Sequence, residues 1–240
     1  MKNKIWSKDS HNILEQATSL ENYNHWLISQ FQSYLGKNIL ELGAGLGGIS
    51  RYLPTTSKLT LSDLRSDYFS YLKNKFNCET LKLDIEKEKP LNLRNKFDTI
   101  FSSNVFEHIK DDQQAFNNSY SLLKKGGKFL LFVPACPGIY GELDKDMGHY
   151  RRYTVDDAKN KALKAGFKII ENKYVNLFGY FAWWGRGVLL GKIIKSKPGK
   201  SSTDSFLAKI YDSLIVPLLN LEKLFKAPFG QSLLLVAEKV

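Results

Sequence analysis

"ILELGAGLGGIS", residues 39–50, runs from an apolar stretch into four glycines within six positions. An apolar run, a glycine cluster and then a helix-compatible segment is the pattern of the first strand–turn–helix of a parallel sheet. Glycine there lets the backbone approach a ligand closely and face it with free N–H groups. Two spacings coexist: Gly43, Gly45 and Gly48 spell G-x-G-x-x-G, while Gly43, Gly45 and Gly47 spell G-x-G-x-G. Either a pyrophosphate or the carboxylate of an amino acid suits such a turn, so the glycines alone do not choose the ligand.

Outward from this turn the chain alternates. Leu46 to Tyr52 is expected as a helix that stops before Pro54, and "KLTLS" (58–62) as a strand. Tyr68, Phe69, Leu72 and Phe76 share a helical face, "TLKL" (80–83) and "FDTIFSS" (97–103) read as strands, and a helix begins at Asp111 or Asp112 and closes at Gly126-Gly127. "KFLLFV" (128–133) is an apolar strand, Thr154 with Asp157 forms a capping box for a helix ending at Gly166, and "FKIIENKYV" (167–175) is again a strand. Parallel neighbours need crossovers, and single helices between strands supply them. The expected fold is α/β, a doubly wound, mostly parallel seven-stranded sheet of Rossmann-like type. "QSLLLVAEK" (231–239) is its last strand, expected to be antiparallel. Ahead of the sheet, Tyr23, Trp26, Leu27, Phe31, Tyr34 and Leu35 form an aromatic-rich helical stripe, with Gly36 as its stop.

Composition agrees with one domain plus decorations: 240 residues, 43% hydrophobic and 13% aromatic. The N-terminal "MKNKIWSKDSHN" lacks an apolar block, and Cys78 and Cys136 have no metal spacing, so a reduced, cytoplasmic setting is expected. The net charge of +11 could serve nucleic acid, an anionic membrane or an acidic substrate. Most of it is lysine, without the arginine–aromatic interleaving of a dedicated RNA binder, which argues against nucleic acid.

The acids around the glycines discriminate better. Asp63 ends the second strand, where a carboxylate can accept both hydroxyls of a ribose. Glu41, just before the glycines, suits a cationic ligand, and Asp84, ending the third strand, could accept an adenine amino group beside Ile85. Three acids at successive strand ends suit a cationic nucleoside without phosphates.

"LELGAGLG", "SDL", "LDI", "FDTIFSSNVFEHI" and "LLKKGGKFLLFVP" resemble, in order, the motifs of class I methyltransferases that use S-adenosyl-L-methionine (SAM). The resemblance implies that Glu41, Gly43, Ala44 and Gly45 line the methionine part of SAM. It places Asp63 and Leu64 at the ribose, Asp84 and Ile85 at the adenine, and Asn104 beneath the sulfonium. "GHYRRYT" and "PFGQSLLLVAEK" resemble a bacterial subgroup associated with cell-surface glycan and lipid assembly.

Methyl transfer to a hydroxyl needs a base, and an amine needs to be neutral. His149 in "DKDMGHYRRYT" is the first candidate base, His108 in "NVFEHI" the second. Tyr150, Arg151 and Arg152 could bind the acceptor, the arginines clamping a phosphate or carboxylate. Alternatively, Arg–acid pairs order this loop and His149 bonds backbone. Glu107, His108 and His149 also resemble the metal ligands of methyltransferases with an E-x-x-E-H pattern. Asn104 replaces the first Glu here, so no metal is expected. N-P-P-Y and D-P-P-Y, the patterns for exocyclic amines of DNA bases, are missing.

Residues 176–229 exceed the minimal fold. "NLFGYFAWWGRGVLLGKIIKSKPGKSS" interrupts an apolar aromatic stretch with Arg186 and Lys192, then adds Lys195, Lys197 and Lys200. A helix lying on anionic headgroups, with Trp183 and Trp184 at the interface, fits residues 177–200 better than a spanning one. The second stripe, Phe206-Leu207 to Leu218-Leu219, suits a lid. The expected division is 1–36, a helical cap; 37–175, the SAM-binding core; 176–229, the insertion; and 230–240, the last strand. The expected activity is methyl transfer to a hydroxyl or amine of a small amphipathic or anionic acceptor: a lipid, a lipid-linked saccharide or another metabolite. The expected location is cytoplasmic, either free or peripheral on the inner membrane face. The alternatives are an RNA or protein methyltransferase and a non-catalytic SAM-binding scaffold.

Overall fold

The computed structural model describes residues 8–88, 90–185, 209–224 and 227–240. Seven strands form one sheet: β1 (Asn38–Leu42), β2 (Lys58–Asp63), β3 (Glu79–Lys82), β4 (Phe97–Ser103), β5 (Leu123–Pro134), β6 (Phe167–Val175) and β7 (Ser232–Lys239). Their spatial order is β3-β2-β1-β4-β5-β7-β6. β1 to β5 pair in parallel, and β7 runs antiparallel to both β5 and β6. The doubly wound fold expected from the sequence is therefore present, and the order reverses between β1 and β4, where ligands of such sheets bind.

The helices are α1 (Lys8–Ser19), α2 (Glu21–Ser29), α3 (Ser66–Lys75), α4 (Asp112–Leu122), α5 (Glu142–Asp146), α6 (Val155–Lys164) and α7 (Leu177–Trp183). Strand alternation divides the core. Ile39, Phe101, Leu130, Phe132, Leu234 and Val236 face α2 and the insertion, packing against Trp26, Leu27, Phe31, Val216 and Leu219. Leu40, Ile100, Phe129, Leu131 and Leu235 face the other way, towards Ala115 and Phe116 of α4 and Ala158 and Ala162 of α6. Both faces are apolar because helices cover both. Asp111 caps α4 by accepting the Gln114 N–H at 3.1 Å, and Thr154 with Asp157 makes the expected capping box on α6.

Three local expectations are corrected. Residues 46–52 form turns and a 3₁₀ segment, Ser50–Tyr52, instead of an α-helix, because left-handed glycines at 43, 45 and 47 break helical backbone. The N-terminal stripe is helical only to Ser29, after which Gln32–Tyr34 forms a 3₁₀ turn, so Gly36 ends no helix. β5 starts at Leu123, five residues early, because Leu123 already pairs with Phe97 before a register shift resumes the ladder at Lys128.

In the insertion, α7 starts at left-handed Asn176, whose side chain accepts the Gly179 N–H at 2.9 Å. Tyr211–Ile215 and Val216–Leu224 form a second helical stretch. Arg186, Lys192, Lys195, Lys197, Lys200, Phe206 and Leu207, which carry much of the expected membrane face and stripe, lie outside the described residues. Among the described residues no helix is long and apolar enough to cross a membrane.

Candidate active site

Gly43, Gly45 and Gly47 have φ of +68°, +57° and +71°, and they bend the chain sharply out of β1. A Cβ on Gly43 would collide with Val105, and one on Gly45 would lie 2.9 Å from the Leu14 side chain of α1. The turn is thus built from glycine for both conformation and close approach. Ala44 is buried, and its N–H donates to the Ser62 carbonyl at 2.9 Å.

Glu41 is buried before this turn, and its carboxylate accepts the Ser50 hydroxyl at 2.6 Å. Burial pushes its pKa up to about 7; the Ser50 bond opposes that rise and the charge of Asp63 adds to it. Asp63 accepts two backbone N–H groups at 2.9 Å, from Gly45 and from Arg65. Its burial raises its pKa against those two bonds. Asp84 accepts the N–H groups of Glu86 and Lys87 at 3.1 and 3.3 Å and pairs with the Lys87 ammonium at 3.2 Å. Ile85 is buried next to it, Leu64 is half exposed, and Asn104 is an exposed left-handed residue directly after β4. All these residues gather at the carboxyl ends of β1 to β4. Two buried acids beside a left-handed glycine turn fit the ammonium and ribose of SAM.

The second half of the site lies between β5 and α6. His149 is buried, and its Nδ1 lies 2.8 Å from Asp144 Oδ1. A carboxylate can only accept, so Nδ1 carries the proton and the Nε2 lone pair is left for chemistry. Nε2 is 3.9 Å from Glu107 Oε1, and the His108 ring packs edge-on at 4.7 Å between centroids. Glu107 is fully buried, and neither carboxylate oxygen accepts a hydrogen bond from another residue. Burial pushes Glu107 up to about 7, against the pull of His149. His108 is driven down to about 3, by burial first and His149 second.

The two arginines face inward. Arg152 is buried, donating from Nε to Asp144 at 2.9 Å and from a terminal nitrogen to the Ala135 carbonyl at 3.0 Å, with Trp183 of α7 stacked 4.7 Å from its guanidinium carbon. Arg151 pairs with Asp112 at 2.7 Å and donates to the Lys110 carbonyl at 2.8 Å. Both arginines are paired with acids in this structure, as in one of the two sequence readings, while the His149 ring bonds a carboxylate instead of backbone. Tyr150 is half exposed, and its N–H donates to the Glu107 carbonyl at 2.8 Å.

Sequence reasoning missed Asp144. Burial would raise its pKa, but His149, Arg152 and the Gly141 N–H together hold it below the ordinary range. Its signal is the acid five residues before His149 in "ELDKDMGH", which does not say which of Glu142, Asp144 and Asp146 turns inward.

The fold is one shared with solved SAM-dependent methyltransferases. The family described as "Methyltransferase domain" matches residues 40–131. Malonyl-[acyl-carrier protein] O-methyltransferase 1 of Ilyobacter polytropus is 28% identical over 165 residues, covering 64% of this chain and 59% of that protein. 5-Methylorsellinic acid synthase of Aspergillus terreus is 32% identical over 145 residues, half of this chain but 6% of that enzyme. The chain thus spans less than two thirds of the length of either. Among solved structures, an Archaeoglobus fulgidus SAM-dependent methyltransferase superposes with a TM-score of 0.60 at 15% identity, covering 92% of this chain and 95% of that one. Haemonchus contortus phosphoethanolamine N-methyltransferase 2, solved with SAM, gives 0.58 at 21% identity, covering 91% and 52%.

Proposed function

We propose that this chain transfers the methyl group of SAM to a small amphipathic or anionic acceptor, and that His149 activates the accepting heteroatom. Glu41, Gly43, Ala44 and Gly45 would hold the methionine end of SAM, Asp63 and Leu64 the ribose, Asp84 and Ile85 the adenine, with Asn104 near the sulfonium. Bound SAM supplies an electrophilic methyl group; the chain's own part is to align the acceptor, exclude water and manage one proton. The proton of a hydroxyl acceptor passes to a lone pair such as His149 Nε2, kept available by Asp144 on the far side of the ring.

One observation carries the acceptor class. α7 leaves Phe178, Phe181 and Trp184 exposed while its Trp183 stacks on Arg152, so an apolar surface adjoins the His149 loop. An acceptor with an apolar tail and a polar head would use both, as a lipid or lipid-linked saccharide does. The Ilyobacter relative is named for a malonyl group on an acyl-carrier protein, also an acidic acceptor. On this reading 1–36 is a cap, 37–175 the SAM-binding core, 176–229 an acceptor-side insertion that also contacts anionic membrane through 177–200, and 230–240 the closing strand. The test is SAM consumption by purified protein given a lipid extract, an aqueous metabolite pool or acyl-carrier thioesters. Turnover with lipid or thioester supports the reading, and turnover with aqueous metabolites alone removes the role of the apolar surface.

A further inference from the structure

We propose that the second helical stretch of the insertion, Tyr211–Ile215 and Val216–Leu224, docks on an anionic lipid surface through a row of outward-facing leucines. Ile210, Leu214, Leu218, Leu221 and Leu224 are all exposed, Leu214 by 64% and Leu221 by 54%. Their spacing follows the winding: steps of four residues through the wider π-helical turn, then steps of three along the 3₁₀ stretch, which keeps them on one side. The opposite side is spent on the core, where Val216 and Leu219 are buried in one cluster with Trp26, Leu27 and Phe132. A row of large apolar side chains in water marks an interaction surface.

Two acids hold this face outward. The Asp212 carboxylate accepts the Asn22 and Tyr23 N–H groups at 3.2 and 2.8 Å, at the start of α2. Glu222 accepts the Asn176 and Leu177 N–H groups at 2.8 Å each, at the start of α7. Rolling the helix to bury its leucines would break four hydrogen bonds to carboxylates, which are stronger than neutral ones. Asp212 and Glu222 are the acids of residues 209–224, so this helix carries negative charge inward and leucine outward.

Charge selects the occupant. Residues 176–229 hold eight lysines and arginines against three acids, two of which are the inward-bonded Asp212 and Glu222. An apolar face within a basic segment complements negatively charged headgroups. Two copies of this chain meeting here, each at +11, would set like charge against like. α7, tied to the helix by Glu222, adds exposed Phe178, Phe181 and Trp184. Resting on the function proposed above, this surface brings the His149 loop, which α7 reaches through Trp183 and Arg152, beside the bilayer that holds a lipid acceptor.

The experiment floats the whole chain with vesicles of phosphatidylglycerol and phosphatidylcholine in equal parts, and with vesicles of phosphatidylcholine alone. Sedimentation velocity without vesicles reports self-association. Flotation with the mixed vesicles, weakened by added salt, is the expected result. The double variant Leu214→Glu/Leu221→Glu should lower the partition coefficient by about 100-fold or more, since burying each leucine contributes roughly tenfold or more. Both side chains already face water, so the exchange leaves the fold intact, and thermal unfolding and SAM affinity measured on each sample verify that. No flotation of the wild type, or equal flotation with phosphatidylcholine alone, overturns the proposal. A double variant that floats like the wild type also overturns it and leaves membrane contact to 177–200. A wild-type dimer that does not float and that the double variant splits gives the face to a second copy, against the proposal. Protein that binds SAM but does not float loses this surface and keeps the methyltransferase reading; protein that floats but binds no SAM does the reverse.

Discussion

Asp144 Oδ1 lies 2.8 Å from His149 Nδ1 and 2.9 Å from Arg152 Nε, so one fully buried carboxylate holds an imidazole and a guanidinium together. If that contact orients His149 for the acceptor, Asp144→Asn lowers kcat by about 10²–10⁴-fold and leaves SAM affinity unchanged. Single-turnover kinetics beside SAM calorimetry measures both. An unchanged kcat would mean that the orientation of His149 does not matter.

Arg152 bears on stability before it bears on any ligand. Removing its side chain in Arg152→Ala leaves buried Asp144 with only His149 and the Gly141 N–H and frees the Ala135 carbonyl, which costs about 3–5 kcal/mol for a broken buried pair. Urea unfolding near neutral pH reports the loss. A change below about 1 kcal/mol would place Arg152 among surface-like pairs and restore it as a ligand clamp.

Asp63 is expected to bond the ribose, so Asp63→Ala weakens SAM by about 1.5–3 kcal/mol, the range of hydrogen bonds to a charged group. Calorimetry with SAM decides it. Equal affinity in wild type and variant removes the ribose assignment.

Glu41 gives a pH signature. Its pKa is about 7 in the fold against an ordinary 4.5, so below the ordinary value it is protonated in both states. As pH rises towards 7 the unfolded chain ionises first, and stability falls; above 7 the loss is complete. Glu41→Gln should flatten that slope and add about 3 kcal/mol at pH 8 in the absence of SAM. Wild-type SAM affinity should move the other way, rising between pH 6 and 8 as the carboxylate ionises for the ammonium. Parallel unfolding curves for wild type and variant at pH 5 and pH 8 would contradict both statements.

The sheet was legible because each strand is a short apolar run between turn signals, and the right-handed crossover rule orders such strands. Asp63 and Glu41 were legible because strand ends fix where they sit. What the sequence could not show was direction. Arg151 and Arg152 are adjacent basic residues suited to an anion, yet both are spent on Asp112 and Asp144, partners that only the packing of α4, α5 and α6 brings near. The helix expected at 46–52 failed because three left-handed glycines outweigh the apolar spacing that suggested it. Within α1, Leu14 and Thr18 lie against Gly45 and Gly48, a contact with the glycine turn that the expected helical cap did not specify.

The most direct test of the account incubates the protein with methyl-labelled SAM and an extract of its source cells, then separates lipid, soluble, RNA and protein fractions. Label in the lipid fraction, or in the protein fraction as a group released by thioester cleavage, lost with Asp63→Ala and with His149→Ala, is the predicted result. Label confined to RNA, or equal transfer by His149→Ala, would contradict it.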